Sequence, residues 1–255
     1  MYNFGLKLWS TNKNYVASAV SHYYKIYQYI ELYTVPNSYN DFIELWKSLD
    51  IPYTIHAPHT LGGLNLSKKE MREQNFKIIE EVIKFANTLN GSLIIFHPGI
   101  DGDIEETVSQ IKKIKDKRIL IENKPYFGLV DNLICVGSSP SEIQFIMDNT
   151  GAGFCLDIGH AICSANAHKL EPLGYIKEFM QLKPKMYHLT DGDYNSVYDN
   201  HKHIGDGNFP VKEILGLLPL NSFITIETVK KSKDNLDDFI HDIDYLKKLK
   251  DNHTQ

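Results

Sequence analysis

The sequence predicts an α/β fold, a single (β/α)8 barrel of the TIM type over residues 1–255, and three observations carry that expectation. Eight short β-rich runs alternate with longer stretches of helical period. The chain has 255 residues, 42% of them hydrophobic, which suits one α/β barrel around one large core. The rival open doubly wound sheet more often carries a glycine-rich phosphate turn after its first strand, whereas here "KLW" runs into "STNKN".

Taken in order, the first run is FGLKLW (Phe4 to Trp9) and the second YQYIELYT (Tyr27 to Thr34). The aromatic cluster from Tyr23 to Tyr29 suits helix-end and strand packing better than base stacking, because barrel strands favour aromatic residues. The third run is YTIHAPH (Tyr53 to His59). A helix is expected from Ser67 to Leu89, where "SKKE" offers a capping box and Phe76, Ile79, Val82, Ile83 and Ala86 form one apolar face. SLIIFHPG (Ser92 to Gly99) and RILIENK (Arg118 to Lys124) are the fourth and fifth runs, and Ser139-Pro140-Ser141-Glu142 opens another capped helix. GFCLDIGH (Gly153 to His160), KMYHLTDG (Lys185 to Gly192) and SFITIETV (Ser222 to Val229) complete the eight, and the amphipathic LDDFIHDIDYLKKL packs last. The chain shows no internal repeat, low-complexity tract or inter-domain linker.

Composition narrows the function classes. With 27 basic against 32 acidic residues the formal charge is −5, which gives no general attraction for nucleic acid or an anionic membrane. Cys135, Cys155 and Cys163 are odd in number, lack a C-x-x-C spacing and sit in apolar or mixed surroundings, so reduced thiols are expected. The N-terminus lacks the pattern of a secretion signal and no apolar run approaches the ~18 residues of a membrane span. A cytoplasmic, soluble chain is the expectation.

In a barrel of this kind the C-terminal strand ends open onto one face, and the ionisable residues collect there. His56 lies late in the third run, His97 in the fourth, Glu122 in the fifth, Asp157 and His160 in the sixth, His188 in the seventh and Glu227 in the eighth, while Asp199 and His201 follow in the loop after the seventh. A lone strand-end histidine is usually a hydrogen-bonded structural residue. Six successive strands placing metal-binding residue types at the same end is a pattern. Four carboxylates in one mouth would repel one another, so a bound cation is the economical remedy. Trp9 and Glu31 are each balanced between pocket residue and interior packing or salt partner. His59 and Lys124 are candidates to meet a phosphate or hydroxyl at the mouth, and the glycines of "HIGDGN" suit either a phosphate cradle or a tight turn.

The set "IHAPH", "FHPG", "LIEN", "LDIGH", "YHLTD", "DNHKHIGDGN" and "IET" resembles the xylose-isomerase-like TIM-barrel superfamily, which includes endonuclease IV and the sugar isomerases and epimerases. The resemblance spans Tyr53 to Val229 and is specific as a combination. It implies a divalent-metal enzyme. Endonuclease IV builds a trinuclear zinc site from nine residues, matched here by His56, His97, Glu122, Asp157, His160, His188, Asp199, His201 and Glu227. The isomerases and epimerases use a smaller site, matched by Glu122, Asp157, His188 and Glu227, in which Glu122 and Glu227 would act as the two catalytic carboxylates.

The departures concern substrate reading. His59 stands where endonuclease IV has a tyrosine that helps open DNA, "DIGHAICSAN" replaces its Asp-x-Cys-His and glycine-tyrosine turn, and "DGDYNSVYDNH" lacks its arginine-bearing loop. Sugar or sugar-phosphate isomerisation or epimerisation is therefore the leading expectation. An endonuclease IV-like phosphodiester hydrolase is the alternative, and only under it is DNA a partner. A metal-stabilised binding module without turnover is a third reading. Imidazole and carboxylate donors without thiolate suit zinc, manganese, cobalt or iron; zinc or manganese, one to three ions per chain, is the expectation.

Overall fold

Eight short, largely apolar segments suit strands buried on both faces, and in the computed structural model, which describes residues 2–128 and 133–251, those segments are the strands of one sheet. In chain order β1 (Asn3–Trp9) is followed by α1 (Val16–His22), β2 (Tyr29–Tyr33) by α2 (Tyr39–Lys47), and β3 (Tyr53–His56) by α3 (Arg72–Thr88). Then β4 (Ile94–Phe96) leads to α4 (Ile104–Ile111), β5 (Ile119–Glu122) to α5 (Pro140–Thr150), and β6 (Gly153–Asp157) to α6 (Ile158–Ala167) and α7 (Pro172–Met180). Finally β7 (Met186–Leu189) leads to α8 (Val211–Leu217) and β8 (Phe223–Ile226) to α9 (Asp237–Asp251). Every neighbouring pair is parallel, and β8 returns to pair with β1 through Gly5 and Thr225, closing a (β/α)8 barrel. Parallel pairing needs a long crossover at each step, and the helices supply it.

The period of two along each strand sorts its residues between two environments. Leu6, Leu8, Ile30, Leu32, Ile55, Phe154, Leu156 and Ile224 face outward into the main core beneath the helices. Tyr29, Ile95, Leu120, Cys155 and Met186 face inward and form a separate apolar floor. Gly5 makes room for that floor, since a Cβ there would stand 2.3 Å from the Tyr29 ring. One period beyond each floor residue stands an ionisable one: Glu31 after Tyr29, His97 after Ile95, Glu122 after Leu120, Asp157 after Cys155 and His188 after Met186. The layered filling of a barrel interior thus switches from apolar to ionic within one layer.

Two local expectations need correcting. The helix expected from Ser67 begins at Arg72, after a 3-10 turn at Lys69–Met71. Ser67 does not cap it, because its hydroxyl lies 2.8 Å from Asn65 Oδ1 and 3.1 Å from the Ile100 carbonyl. Of its expected apolar face Ile79, Val82 and Ala86 are buried, Phe76 and Ile83 lie on the flank, and Phe85 joins the core. The sixth strand stops at Asp157, which places His160 in the first turn of α6. The capping box at Ser139 and Glu142 forms at the start of α5. All three cysteines are buried free thiols. No helix among the described residues is long and apolar enough to cross a membrane.

Candidate metal centre

Glu122 is the hub of the barrel mouth. Its Oε1 lies 3.1 Å from His97 Nε2 and 3.2 Å from His160 Nδ1, and its Oε2 lies 3.1 Å from His56 Nε2 and 3.3 Å from His188 Nδ1. His188 Nδ1 lies 2.9 Å from Glu227 and 3.9 Å from Asp157. Farther along the mouth, Asp199 Oδ2 is 2.8 Å from His201 Nε2 and 3.4 Å from His160 Nε2. The nine residues singled out from sequence therefore come together.

Each has a local reason for its pose. Asp157 is the N-cap of α6, where its Oδ1 accepts from the His160 backbone N–H at 2.7 Å, leaving Oδ2 for the mouth. Asn123 clips the ends of β5 and β6 together through the Asp157 backbone, accepting from its N–H at 2.7 Å and donating to its carbonyl at 2.9 Å. Three histidines place Nδ1 against a backbone carbonyl: His56 on Ala57 at 2.7 Å, His160 on Asn123 at 2.9 Å and His201 on Glu227 at 2.8 Å. A ring that donates from Nδ1 presents the Nε2 lone pair, the usual outer-shell arrangement of a metal-binding imidazole.

Among the described residues these side chains form groups whose candidate ligand atoms lie within 4.8 Å of one another: three that share residues, His56, His97 and Glu122, then Glu122, Asp157 and His188, then Glu31, His56, His188 and Glu227, and a separate one, His160, Asp199 and His201. Asp157 Oδ2, in the group with Glu122 and His188, is buried and makes no hydrogen bond. Buried polar atoms rarely go without a partner. Oxygen and imidazole donors at this spacing fit divalent ions such as zinc.

The electrostatics match. Burial works against the charge of Glu122 and Glu227, but the histidines outweigh it: His97 and His188 hold Glu122 well below the usual carboxylate range, and His188 with Lys7 does the same for Glu227. Asp157 behaves oppositely. Burial, joined by the charges of Glu122, Asp199 and Glu227, pushes its carboxyl up to about 6 although His160 opposes the shift. Burial disfavours protonated His160 and His201, yet Asp157 raises the former to about 10 and Asp199 the latter to about 9.

Around the rim, Trp9 is 50% exposed and leans on Tyr33 with ring centroids 5.1 Å apart. Tyr33 in turn contacts His59 at 5.3 Å and stacks on His56 at 5.7 Å, so Trp9, Tyr33 and His59 wall one side of the mouth. Burial, with the positive charge of Lys124 and His56, lowers His59 to about 4. Lys124 is half-buried one period beyond Glu122. Glu31 lies deeper than the rim. It is fully buried, with Lys7 Nζ at 2.9 Å, the Thr225 hydroxyl at 2.7 Å and His188 Nε2 at 3.0 Å. That is the place of an interior salt partner. The "HIGDGN" loop wraps a protein carboxylate: Asp191 accepts from Gly205 N and Phe209 N at 2.9 and 3.0 Å, and a Cβ on Gly207 would stand 2.3 Å from Asp191 Oδ1. The tight-turn reading of its glycines fits this geometry.

Sequence reasoning missed Lys7, Tyr33 and Asn123. Alternation in FGLKLW puts Lys7 on the same strand face as Gly5 and Trp9, and a mid-strand lysine on an inward face was the signal available.

Residues 25–249 match the family described as xylose isomerase-like TIM barrel. A probable endonuclease 4 of Aquifex aeolicus is 27% identical over 215 residues, covering 75% of each chain. Among solved structures, a D-tagatose 3-epimerase-like protein superposes with a TM-score of 0.74 at 20% identity, covering 98% of this chain and 97% of that one. Endonuclease IV from Thermus thermophilus superposes with a TM-score of 0.70 at 22% identity, covering 96% and 99%.

Proposed function

Because the chain belongs to the xylose isomerase-like TIM-barrel family, we propose that it is a divalent-metal enzyme that hydrolyses a phosphate ester, of a small sugar rather than of duplex DNA, at a cluster of ions. The sequence ranked sugar isomerisation first and an endonuclease IV-like phosphodiester hydrolase second; this proposal takes its chemistry from the second and its substrate class from the first. The observation that supports it is the third donor group, His160, Asp199 and His201, which lies beyond the donors that a single-ion isomerase needs. The name of the Aquifex relative, probable endonuclease 4, agrees with ester hydrolysis.

Bound divalent ions supply charge to phosphoryl oxygens and acidify the attacking water. The protein's part is to hold and orient. Glu122 offers both oxygens between two donor groups and ties the cluster together; Glu31 holds His188 so that Nδ1 faces Asp157 and Glu227. Trp9 gives a flat apolar wall on which a sugar ring can stack, and Lys124 and His59 supply polar contacts to a phosphate or hydroxyl. The net charge of −5 and the missing arginine-bearing loop oppose docking of a polyanionic duplex.

Isomerisation or epimerisation is the second reading, favoured by one observation. Glu122 and Glu227 both approach His188 Nδ1, at 3.3 and 2.9 Å from different strands, as two carboxylates that exchange a carbon-bound proton would have to. The test is turnover, with and without chelator, on small phosphate mono- and diesters, an abasic duplex, and a panel of ketoses and their phosphates. Chelator-sensitive cleavage of a small ester is expected; epimerisation of a ketose without ester cleavage would overturn the proposal, and efficient duplex incision would overturn its substrate class.

A further inference from the structure

Lys7 stands on β1 directly opposite Glu31 on β2 and reaches into the ionic layer of the barrel. Its ammonium contacts Glu31 Oε1 at 2.9 Å and also Glu227 Oε1. The second contact matters, because Glu227 Oε1 is the same oxygen that lies 2.9 Å from His188 Nδ1. Two donors of one ion, each ~2.0–2.2 Å from it, stand about 3 Å apart. The oxygen that Glu227 would offer to an ion beside His188 is therefore the one Lys7 holds.

We propose that Lys7 is a built-in competitor for the ion beside His188 and Glu227, so that this position of the centre is the last to load and the first to empty. The inference rests on the metal reading of the site. Lys7 places a permanent positive charge within contact of a ligand oxygen, and the side chain is nearly buried, at 14% exposure, so water screens the repulsion of an incoming dication poorly. Without metal the same contact shares with His188 the neutralisation of Glu227 and Glu31. An ion seated beside His188 must share the Glu227 oxygen with the ammonium or push the ammonium aside.

The test uses the full chain loaded with Zn2+ and challenged with graded chelator, with zinc counted at each step. Wild-type protein is expected to release one ion at a chelator concentration about tenfold or more below that needed for the rest, by the electrostatic penalty described. Lys7→Met should shift that first step to join the others, while Lys7→Arg, which keeps the charge, should retain it. An unmoved first step in Lys7→Met, or its loss in both variants, overturns the inference while leaving the metal reading intact. A wild-type chain that takes up no zinc overturns both. Should Lys7→Met fail to fold in chelator, it is refolded with excess Zn2+; a variant that still does not fold counts against the inference, since the ion would supply the charge Lys7 gave up.

Discussion

His188 Nε2 and Glu31 Oε2 lie 3.0 Å apart with both side chains fully buried. The bond assigns the imidazole proton to Nε2 and turns Nδ1 toward Glu122, Asp157 and Glu227. Glu31→Gln removes the charge that fixes this tautomer while nearly keeping the shape. Zinc affinity should fall ~10–100-fold, the range for losing an outer-shell partner of a metal-binding histidine. Titration of metal-free protein with Zn2+ checks this, and unchanged affinity would make Glu31 a mere core filler.

The pH dependence has opposite signs with and without metal. His160 and His201 keep their protons up to about 10 and about 9, held by Asp157 and Asp199 against the cost of burial. Their folded values stand above the ordinary histidine value of 6.5, so their stabilisation of the metal-free fold is complete below that value and fades as pH rises through about 9 to 10. Metal binding requires both protons to leave, so zinc affinity should climb over the same window. Melting temperatures of chelated protein and zinc titrations at several pH values measure the two trends. Two flat profiles would mean these histidines are not paired as described.

Asp199 and His201 separate the two chemistries. Replacing both by Ala removes two donors from the group with His160. If the cluster cleaves an ester, one ion is lost and kcat falls ~10²-fold or more, as when a group stabilising transition-state charge is removed. Retained kcat with raised KM would instead mark lost uniform binding and support the isomerase reading.

Trp9→Ala tests the mouth wall. Half of the side chain is exposed and it leans on Tyr33, so stability should change little. KM for a sugar-bearing substrate should rise roughly 2- to 10-fold, the worth of one stacking contact, with kcat nearly unchanged. An unaltered KM would place the substrate elsewhere on the rim.

How much was legible in the sequence follows from what each feature depends on. The barrel and the gathering of nine residues at its mouth were readable because strand period and strand-end position are local properties, and His56, Glu122 and Asp157 end their strands in the structure with His188 one residue short of its strand end. Ser67 misled because its hydroxyl is claimed by Asn65 and Ile100, the latter far along the chain. The depth of Glu31 and the role of Lys7 depend on the β1–β2 register, which pairs Lys7 with Glu31, and on barrel closure, which brings Glu227 beside them. No window of sequence contains either fact.

The most direct measurement is the metal content of the folded wild-type chain, purified without chelator and supplied with Zn2+, by elemental analysis. The overlapping donor groups joined through Glu122, together with the separate group at His160, Asp199 and His201, lead us to expect more than one zinc ion per chain. One ion or none in folded protein would contradict a metal cluster in this mouth.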